Sequence, residues 1–455
     1  MSEDRRNRSK SVAKGDLYST DAQVRRRAAI RLGECGNAEA AGELLQVLQT
    51  ESDSAAASSM VLALGSLGGD AVREGLTAHL ARSDQEALAL AKAMDRLGLS
   101  GGAGATWRTG LSLEAVRVEV TEGLERPVSR ALDLQGFGAT EVDRPGLLRL
   151  KKPVAVSRLQ PPPRMTYNLR LLLGVAEAGD SDLAAMGRAL EAAVQAQPWT
   201  AWIEDGSVLK YRFSVEGRKP DRRQMRDFLD LARAALAPCG LSDSPSGYNC
   251  ELVMSWLAPH PTLYFRPRFR PDERFSYRVR DVSASISPVV AAALAQVAPL
   301  GLSGDIIDPT CGSGTLLFER GLLSPEARLF GIDVDAGAIA AATANAERAG
   351  LAGRLTLQQA DARDPSPWRS CGLVLANLPF GIRSGREDRD LKGLYSDILT
   401  NAALVLHPSG RVILATANRS ALEFALDAHK EFRTLARYRF SSGGIFVQLV
   451  VLGLS

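Results

Sequence analysis

From Val289 to the carboxy terminus, helix-length and strand-length apolar segments alternate, and the first three strands each end in an acidic residue. VVAAALAQVA, TLLFERGLL, AIAAATANAERAG, LYSDILTNAALVL and LEFALDAHKEF have helical spacing, whereas DIIDPT, RLFGIDVD, LTLQQAD, GLVLANLPF and GRVILATAN read as strands. Strands separated by helices imply a parallel sheet covered on both faces. LARYRF and IFVQLVVLG, joined by SSGG, add a hairpin that makes the last strand antiparallel. The expectation is a seven-stranded Rossmann-like α/β domain over residues 284–455.

In such a sheet, ligands bind beyond the carboxyl ends of the strands near the topological switch point. DPTCGSGT, Asp308 to Thr315, follows the first strand. Gly312 and Gly314 let backbone approach a ligand and adopt conformations closed to other residues. Asp308 is placed to hold the ammonium, or an ordered water, of a methionine moiety. A glycine-rich turn alone also suits a dinucleotide, as does an acid closing the second strand: GIDVD, Gly331 to Asp335, places Asp333 against ribose hydroxyls. The third acid separates the readings. ADARD, Ala360 to Asp364, sets Asp361 where it accepts a hydrogen bond from an adenine amino group. Each acid singly is explicable as a helix cap; three in register point to S-adenosylmethionine.

NLPFG, Asn377 to Gly381, closes the fourth strand. An exocyclic base amine is a weak nucleophile because its lone pair is delocalised into the ring. The Asn377 amide oxygen and the Leu378 carbonyl can accept the two amine hydrogens, Pro379 fixes the turn, and Phe380 can stack on the base. Catalysis would then be positioning and electrostatics, without a covalent nucleophile. Cys311 lies in the cofactor turn and reads as a small buried hydrophobe. His79, His260, His407 and His429 share no evident constellation.

The first hundred residues differ in texture. AAIRLG, VLALG and AMDRLG place Leu-Gly pairs ending at Gly33, Gly65 and Gly98, spacings of 32 and 33, with second amphipathic segments such as AGELLQVLQT following the first two. That period of paired helices predicts an α-solenoid resembling HEAT repeats over 16–100, the alternative being a plain helical bundle. Residues 1–15 are polar and read as a disordered lead without a secretory h-region. GLSGGAGATW, Gly98 to Trp107, reads as a linker. Two small α+β units follow, one to about Gln160 and one from Pro161 to Arg280. Between Asp205 and Arg280 there are 14 Lys or Arg against 9 Asp or Glu. The densest part, RPRFRPDERFSYRVR, interleaves arginines with aromatic residues, as an RNA-contacting stripe would. A solvated edge is the competing reading. Arg266, Arg268, Arg270, Arg274 and Arg278 are its candidate contacts, joined by Arg383 from RSGREDRDLKGLY.

Overall net charge is only +3, so nucleic-acid binding must rest on such local patches. With 45% apolar and 24% charged residues, no apolar run long enough to span a membrane and five scattered cysteines, the chain reads as a folded protein of a reducing cytoplasm with no metal site.

DPTCGSGT, GIDVD, ADARD and NLPFG, with ASISPVVAAALAQVA upstream, resemble the THUMP-associated RNA guanine-N2 methyltransferases. That resemblance implies a class I methyltransferase domain at 284–455, preceded by a ferredoxin-like unit (108–160) and a THUMP-like RNA-binding domain (161–280). It also implies S-adenosylmethionine held by Asp308, Thr310, Gly312, Gly314, Thr315, Asp333, Asp361 and Ala362, with Asn377, Leu378, Pro379 and Phe380 as the catalytic motif. The implied product is N2-methylguanosine in tRNA near the acceptor stem, with ribosomal RNA as the alternative substrate. NLPF departs from the commoner NPPY, and the HEAT-like segment is an addition with room for a protein partner. A reading of another class is a HEAT-scaffolded RNA-binding adaptor with an inactive methyltransferase domain; the intact Asp308, Asp333, Asp361 and Asn377 argue against it.

Overall fold

A computed structural model of the chain describes residues 15–35, 38–67, 70–96, 107–108, 110–138, 140–175, 183–196, 209–217, 221–244, 248–257, 262–268, 273–282, 285–381, 390–442 and 445–455. Residues 1–14 of the expected lead, most of the linker, Gly443 and Gly444 of the SSGG turn and residues 382–389, which include Arg383, lie outside the described residues, as do His260 and Arg270. The chain forms two compact units, residues 1–108 with 173–271 and residues 109–172 with 272–455. The small α+β piece before residue 173 thus groups with the carboxy-terminal domain, and the boundary expected near 160 falls inside that unit.

In the first unit, five helices form the repeat: α1 (Ala22–Cys35), α2 (Ala38–Thr50), α3 (Ser54–Leu67), α4 (Asp70–Ala78) and α5 (Asp84–Arg96). Alternate helices stack, α1 on α3 and α3 on α5, around Leu32, Leu44, Met60, Val61, Leu64 and Ala93. The Leu-Gly period has a packing cause. A Cβ added at Gly33 would lie 2.9 Å from the Ala63 Cα, and one at Gly65 would lie 2.6 Å from the Ala93 Cα, so these glycines let alternate helices touch backbone to backbone. Arg82 reinforces the stack by donating to the Leu48 and Glu51 carbonyls at the end of α2 (both 2.6 Å), and the Arg25 guanidinium pairs with both Glu51 oxygens. Alanine at Gly65 would gain about 1 kcal/mol of helix propensity but would overpack the crossing at a cost of roughly 1–3 kcal/mol. Gly65→Ala is therefore expected to lower the melting temperature; a rise would refute the close-crossing account.

In the second unit's amino-terminal part, β1 (Ser112–Leu113), β2 (Val116–Glu119), α6 (Glu125–Leu134), β3 (Thr140–Arg144), β4 (Leu147–Leu150), β5 (Val154–Ala155) and the start of β6 (Leu169–Val175) make a small α+β piece. β2 lies between β4 and β6, antiparallel to both. The remainder of the first unit holds α7 (Leu183–Ala196), β7 (Leu209–Gly217), α8 (Arg222–Leu236), β8 (Leu241–Asp243), β9 (Cys250–Trp256) and β10 (Thr262–Pro267). There β7 runs parallel to β8 and β9, and β10 is antiparallel to β9. The aromatic run TLYF makes β10 a strand and carries Arg266 into the sheet.

The carboxy-terminal domain contains α9 (Pro288–Ala295), β11 (Ile306–Asp308), α10 (Thr315–Leu323), β12 (Leu329–Asp333), α11 (Ala336–Ala349), β13 (Leu355–Gln359), β14 (Cys371–Asn377), α12 (Leu391–Val405), β15 (Leu406–Thr416), α13 (Arg419–Ala428), β16 (Phe432–Ser442) and β17 (Ile445–Leu454). Its seven strands are ordered β13-β12-β11-β14-β15-β17-β16. All neighbouring pairs through β15 are parallel, and β17 is antiparallel to β15 and β16, as the sequence predicts. The chain reverses direction across the sheet between β11 and β14, which makes their carboxyl ends the switch point.

Candidate active site

The glycine-rich turn begins where β11 ends. Gly314 has φ +81° and caps α10, and a Cβ there would strike the Phe318 ring at 2.3 Å, so both conformation and space demand glycine. Gly312 is also left-handed, at φ +53°. The turn is tied to the neighbouring strand: Cys311 N–H donates to the Ile332 carbonyl (2.9 Å) and Gly312 N–H to Asp333 Oδ2 (2.8 Å). Asn345, fully buried on α11, clamps the outside of the turn. Its amide donates to the Ser313 and Arg280 carbonyls and accepts from Arg280 N–H. Thr315 is buried at the first position of α10, with its hydroxyl 3.3 Å from that of Ser313.

The two acids of GIDVD have separate tasks. Asp335 caps α11, accepting from Gly337 and Ala338 N–H. Asp333 accepts one backbone N–H on each oxygen, from Gly312 and Asp335, which orients the carboxylate and leaves a lone pair on each oxygen for a pair of hydroxyls. Asp361 lies two residues beyond β13, exposed, its Oδ1 accepting from Arg363 N–H (3.0 Å). Beside it, the Ala362 carbonyl is held by Trp368 Nε1 (3.0 Å) and Asn401 Nδ2 (2.9 Å), and Asn401 also donates to the Arg363 carbonyl.

Asp308 is 1% exposed. Burial pushes its carboxyl up to about 8, with Thr310 N–H opposing the rise and the charge of Asp333 adding to it. A cationic ligand beside it would favour ionisation. The folded value exceeds the unfolded one, so between about pH 4 and pH 8 the native state holds a proton that the unfolded chain has released, and stability falls as pH rises. The slope reaches about 1.4 kcal/mol per pH unit. Unfolding of the ligand-free protein followed from pH 5 to 8.5 is expected to show this decline, with a flatter profile in Asp308→Asn; parallel profiles would remove the assignment. Burial also holds the Cys311 thiol well above its ordinary range, consistent with a packing role.

Asn377 ends β14, half-buried, and its backbone carbonyl lies 3.5 Å from the Thr310 hydroxyl, so the turn after β11 and the NLPF motif are adjacent. Leu378 N–H donates to the Ala415 carbonyl and its side chain is fully buried. The Pro379 carbonyl is taken by the Tyr395 hydroxyl (2.7 Å), and Gly381 turns the chain at φ +77°. Phe380 is half-buried. The structure therefore gathers Asp308, Thr310, Gly312 and Asp333 with Asn377 at the carboxyl ends of β11, β12 and β14. Asp308, Asp333 and the glycine turn present carboxylate oxygens and close backbone of the kind the methionine and ribose ends of S-adenosylmethionine need, with the exposed Asp361 beyond β13 as the acceptor on the adenine side.

The arginine stripe is divided between the two units. Arg274 is a correction: its guanidinium is buried and donates to the carbonyls of Pro162, Pro163 and Thr166, so it braces the chain rather than facing a ligand. Arg278 pairs with Asp281. Arg266 pairs with Glu251 and Glu216, whereas Arg268 lies 4.5 Å over the Tyr248 ring. Arg212, absent from the expected contacts, stacks on the same ring at 4.3 Å. His429 does join a constellation, between Ser396 Oγ (3.0 Å from Nε2) and Glu431 Oε1 (2.7 Å from Nδ1). Ser396 is inside α12, where backbone amides are bonded within the helix, so the trio has no neighbouring pair of N–H donors for an oxyanion. Among the described residues no group of three or more His, Cys, Asp or Glu is arranged to hold a metal, and no helix is long and apolar enough to cross a membrane.

The sheet order and strand-end site define a class I methyltransferase domain. Residues 276–447 match the family described as RMKL-like, methyltransferase domain, and residues 16–95 match HEAT repeats. Among curated proteins it is similar to the tRNA (guanine(6)-N2)-methyltransferase of Thermus thermophilus, 34% identical over 37% of this chain and 50% of that protein. It is also similar to the U6 snRNA (guanine-N(2))-methyltransferase THUMPD2 of Homo sapiens, 28% identical over 29% of this chain and 25% of that protein. These matches thus span half or less of each relative. Among solved structures, TrmN from Thermus thermophilus aligns with TM-score 0.60 at 25% identity, over 75% of this chain and 99% of that one. SMU.472, a methyltransferase fold complexed with SAH, aligns with TM-score 0.57 at 16% identity, over 76% and 99%.

Proposed function

We propose that the chain methylates the exocyclic N2 of guanine in RNA, with tRNA, at or near the acceptor stem, as the preferred substrate. The observation that carries the reading is the junction of the Asn377 turn with the cofactor turn at Thr310, the place where a base amine must meet a methyl donor. The cofactor, S-adenosylmethionine, supplies an electrophilic methyl group on a sulfonium. Asp308 would hold its methionine end, the backbone of Gly312 and Gly314 would let it approach, and Asp333 and Asp361 would accept from ribose and adenine, with Thr310, Thr315 and Ala362 lining the turns. Asn377 Oδ1 and the Leu378 carbonyl accept the two amine hydrogens and turn the nitrogen lone pair outward. Pro379 stiffens the turn and Phe380 stacks on the guanine ring. Transfer would form the N–CH3 bond as the S–CH3 bond breaks, with S-adenosylhomocysteine as the leaving group, and the acidified amine proton would then pass to solvent, so no strong base is needed.

Substrate class follows from the relatives' names and from the preceding segments. Residues 108–160 are read as ferredoxin-like, and 161–280 as THUMP-like. The half-buried Arg212 and Arg268, stacked on the buried Tyr248 ring, are the proposed RNA contacts of this segment, whereas Arg266 is mostly buried and engaged by Glu251 and Glu216. Arg278, which pairs with Asp281, and Arg270 and Arg383 outside the described residues are the remaining proposed contacts. The HEAT repeats are assigned a protein-binding role, and the cytoplasm is the proposed location.

The purified full-length chain, given methyl-labelled S-adenosylmethionine with unmodified tRNA or ribosomal RNA, should place the label on guanine N2 of tRNA. Label confined to ribosomal RNA would move the substrate. Cofactor binding without transfer to any RNA would favour the adaptor reading.

A further inference from the structure

We infer that Tyr395 is a positioning residue for methyl transfer, acting through the Pro379 carbonyl on the turn that holds the base amine; the inference rests on the reading of Asn377–Phe380 as that turn. Tyr395 lies on α12, fully buried, in the hydrophobic core beneath the sheet's carboxyl edge. Its hydroxyl donates to the Pro379 carbonyl (2.7 Å) and is 2.6 Å from the Thr416 hydroxyl, which ends β15. With Tyr395 donating to Pro379, Thr416 is the donor to Tyr395. Thr416 Oγ1 in turn accepts from Asn418 N–H (3.0 Å), so the relay is ordered from one strand end to the next. Burial pushes the phenol up to about 12, which keeps the proton on the hydroxyl throughout the working pH range.

The consequence lies in the peptide directions. Leu378 N–H is anchored to the Ala415 carbonyl and the Pro379 carbonyl to Tyr395, so the turn is gripped on both sides of the Leu378–Pro379 peptide. With the Pro379 carbonyl occupied by protein, the Leu378 carbonyl is the one left to accept from a base. The helix that carries Tyr395 also supplies Asn401 to the Ala362 and Arg363 carbonyls on the adenine side. One helix therefore sets the amine-holding turn through Tyr395 and the cofactor-side turn through Asn401, and the two can be perturbed separately.

The test compares Tyr395→Phe, Thr416→Val, Thr416→Ser and Asn401→Ala in the full-length chain. Single-turnover transfer to tRNA, SAH affinity by calorimetry and hydrogen exchange of the peptide spanning 376–381 are measured on each. Tyr395→Phe and Thr416→Val are expected to slow transfer roughly 10- to 100-fold through misplacement of the acceptors, to leave SAH affinity within about twofold, and to speed exchange in 376–381. Thr416→Ser should recover both. Asn401→Ala should instead weaken SAH. Full transfer rate and unchanged exchange in Tyr395→Phe would overturn the inference, as would an equal loss of SAH affinity. If the wild-type chain methylates no RNA, the functional reading fails, and hydrogen exchange still decides whether Tyr395 holds the turn.

Discussion

Replacing Asn377 by alanine should reduce methyl transfer by about 100- to 1,000-fold while SAH binds almost as before. The magnitude is that of removing one pre-aligned hydrogen-bond partner from a water-poor site. Asn377 closes β14 with its backbone paired to β15 at Ala415, so the main chain has little reason to move when the side chain is shortened. What would be lost is the amide oxygen proposed to orient the guanine amine. The loss should fall on the rate of bound complexes, since the interaction matters most as the nitrogen lone pair turns toward the methyl group. Asn377→Asp separates orientation from charge: it retains an acceptor, and partial activity in it with none in Asn377→Ala would support the role. Near-wild-type transfer by Asn377→Ala would remove the catalytic assignment.

The second large effect concerns stability. Glu319, on α10 immediately behind the glycine-rich turn, has a side chain 1% exposed and pairs bidentately with Arg164 at 2.6 and 2.8 Å. The Tyr277 hydroxyl donates to the same carboxylate at 2.7 Å, and burial raises the Tyr277 phenol far above its usual range. Arg164 comes from the PPPR segment and also lies 4.8 Å over the Phe275 ring. A single carboxylate thus fastens the connection at 161–166 and the segment near 275 to the helix that carries the cofactor turn. Removing it leaves a guanidinium and a buried hydroxyl without their acceptor. Loss of one partner from a buried pair costs about 3–5 kcal/mol, and because Arg164 is one-third exposed the lower end applies, about 3 kcal/mol. Glu319→Ala should lose that much by chemical denaturation, and Glu319→Gln, which keeps an acceptor for Tyr277, should lose less. Equal and small losses would show that the triad contributes little.

The parts of the site legible in the sequence are those governed by local rules. Asp308, Gly312, Gly314, Asp333 and Asn377 occur at strand ends, where strand period and glycine conformation identify them without knowledge of the rest of the chain. The Leu-Gly repeat was equally readable, because one small residue per repeat is a local requirement of helices in contact. Asn345, Tyr395 and Asn401 were not legible as site residues. Each is a buried polar group on an apolar helix whose partner lies in a distant turn, and only the folded chain says where its hydrogen bonds go. A polar residue within the apolar spacing of LYSDILTNAALVL was the available signal, since a buried hydroxyl or amide must find a partner. Arg274 shows the opposite failure. Counting charge along RPRFRPDERFSYRVR cannot distinguish a guanidinium that faces solvent from one that satisfies three internal carbonyls.

Nucleoside mapping by mass spectrometry of tRNA and ribosomal RNA from cells with and without this protein tests the central claim most directly. The account predicts loss of N2-methylguanosine from a tRNA acceptor-stem position and its return with the wild-type chain but not with Asn377→Ala. An unchanged N2-methylguanosine content in tRNA, or restoration by Asn377→Ala, would contradict it.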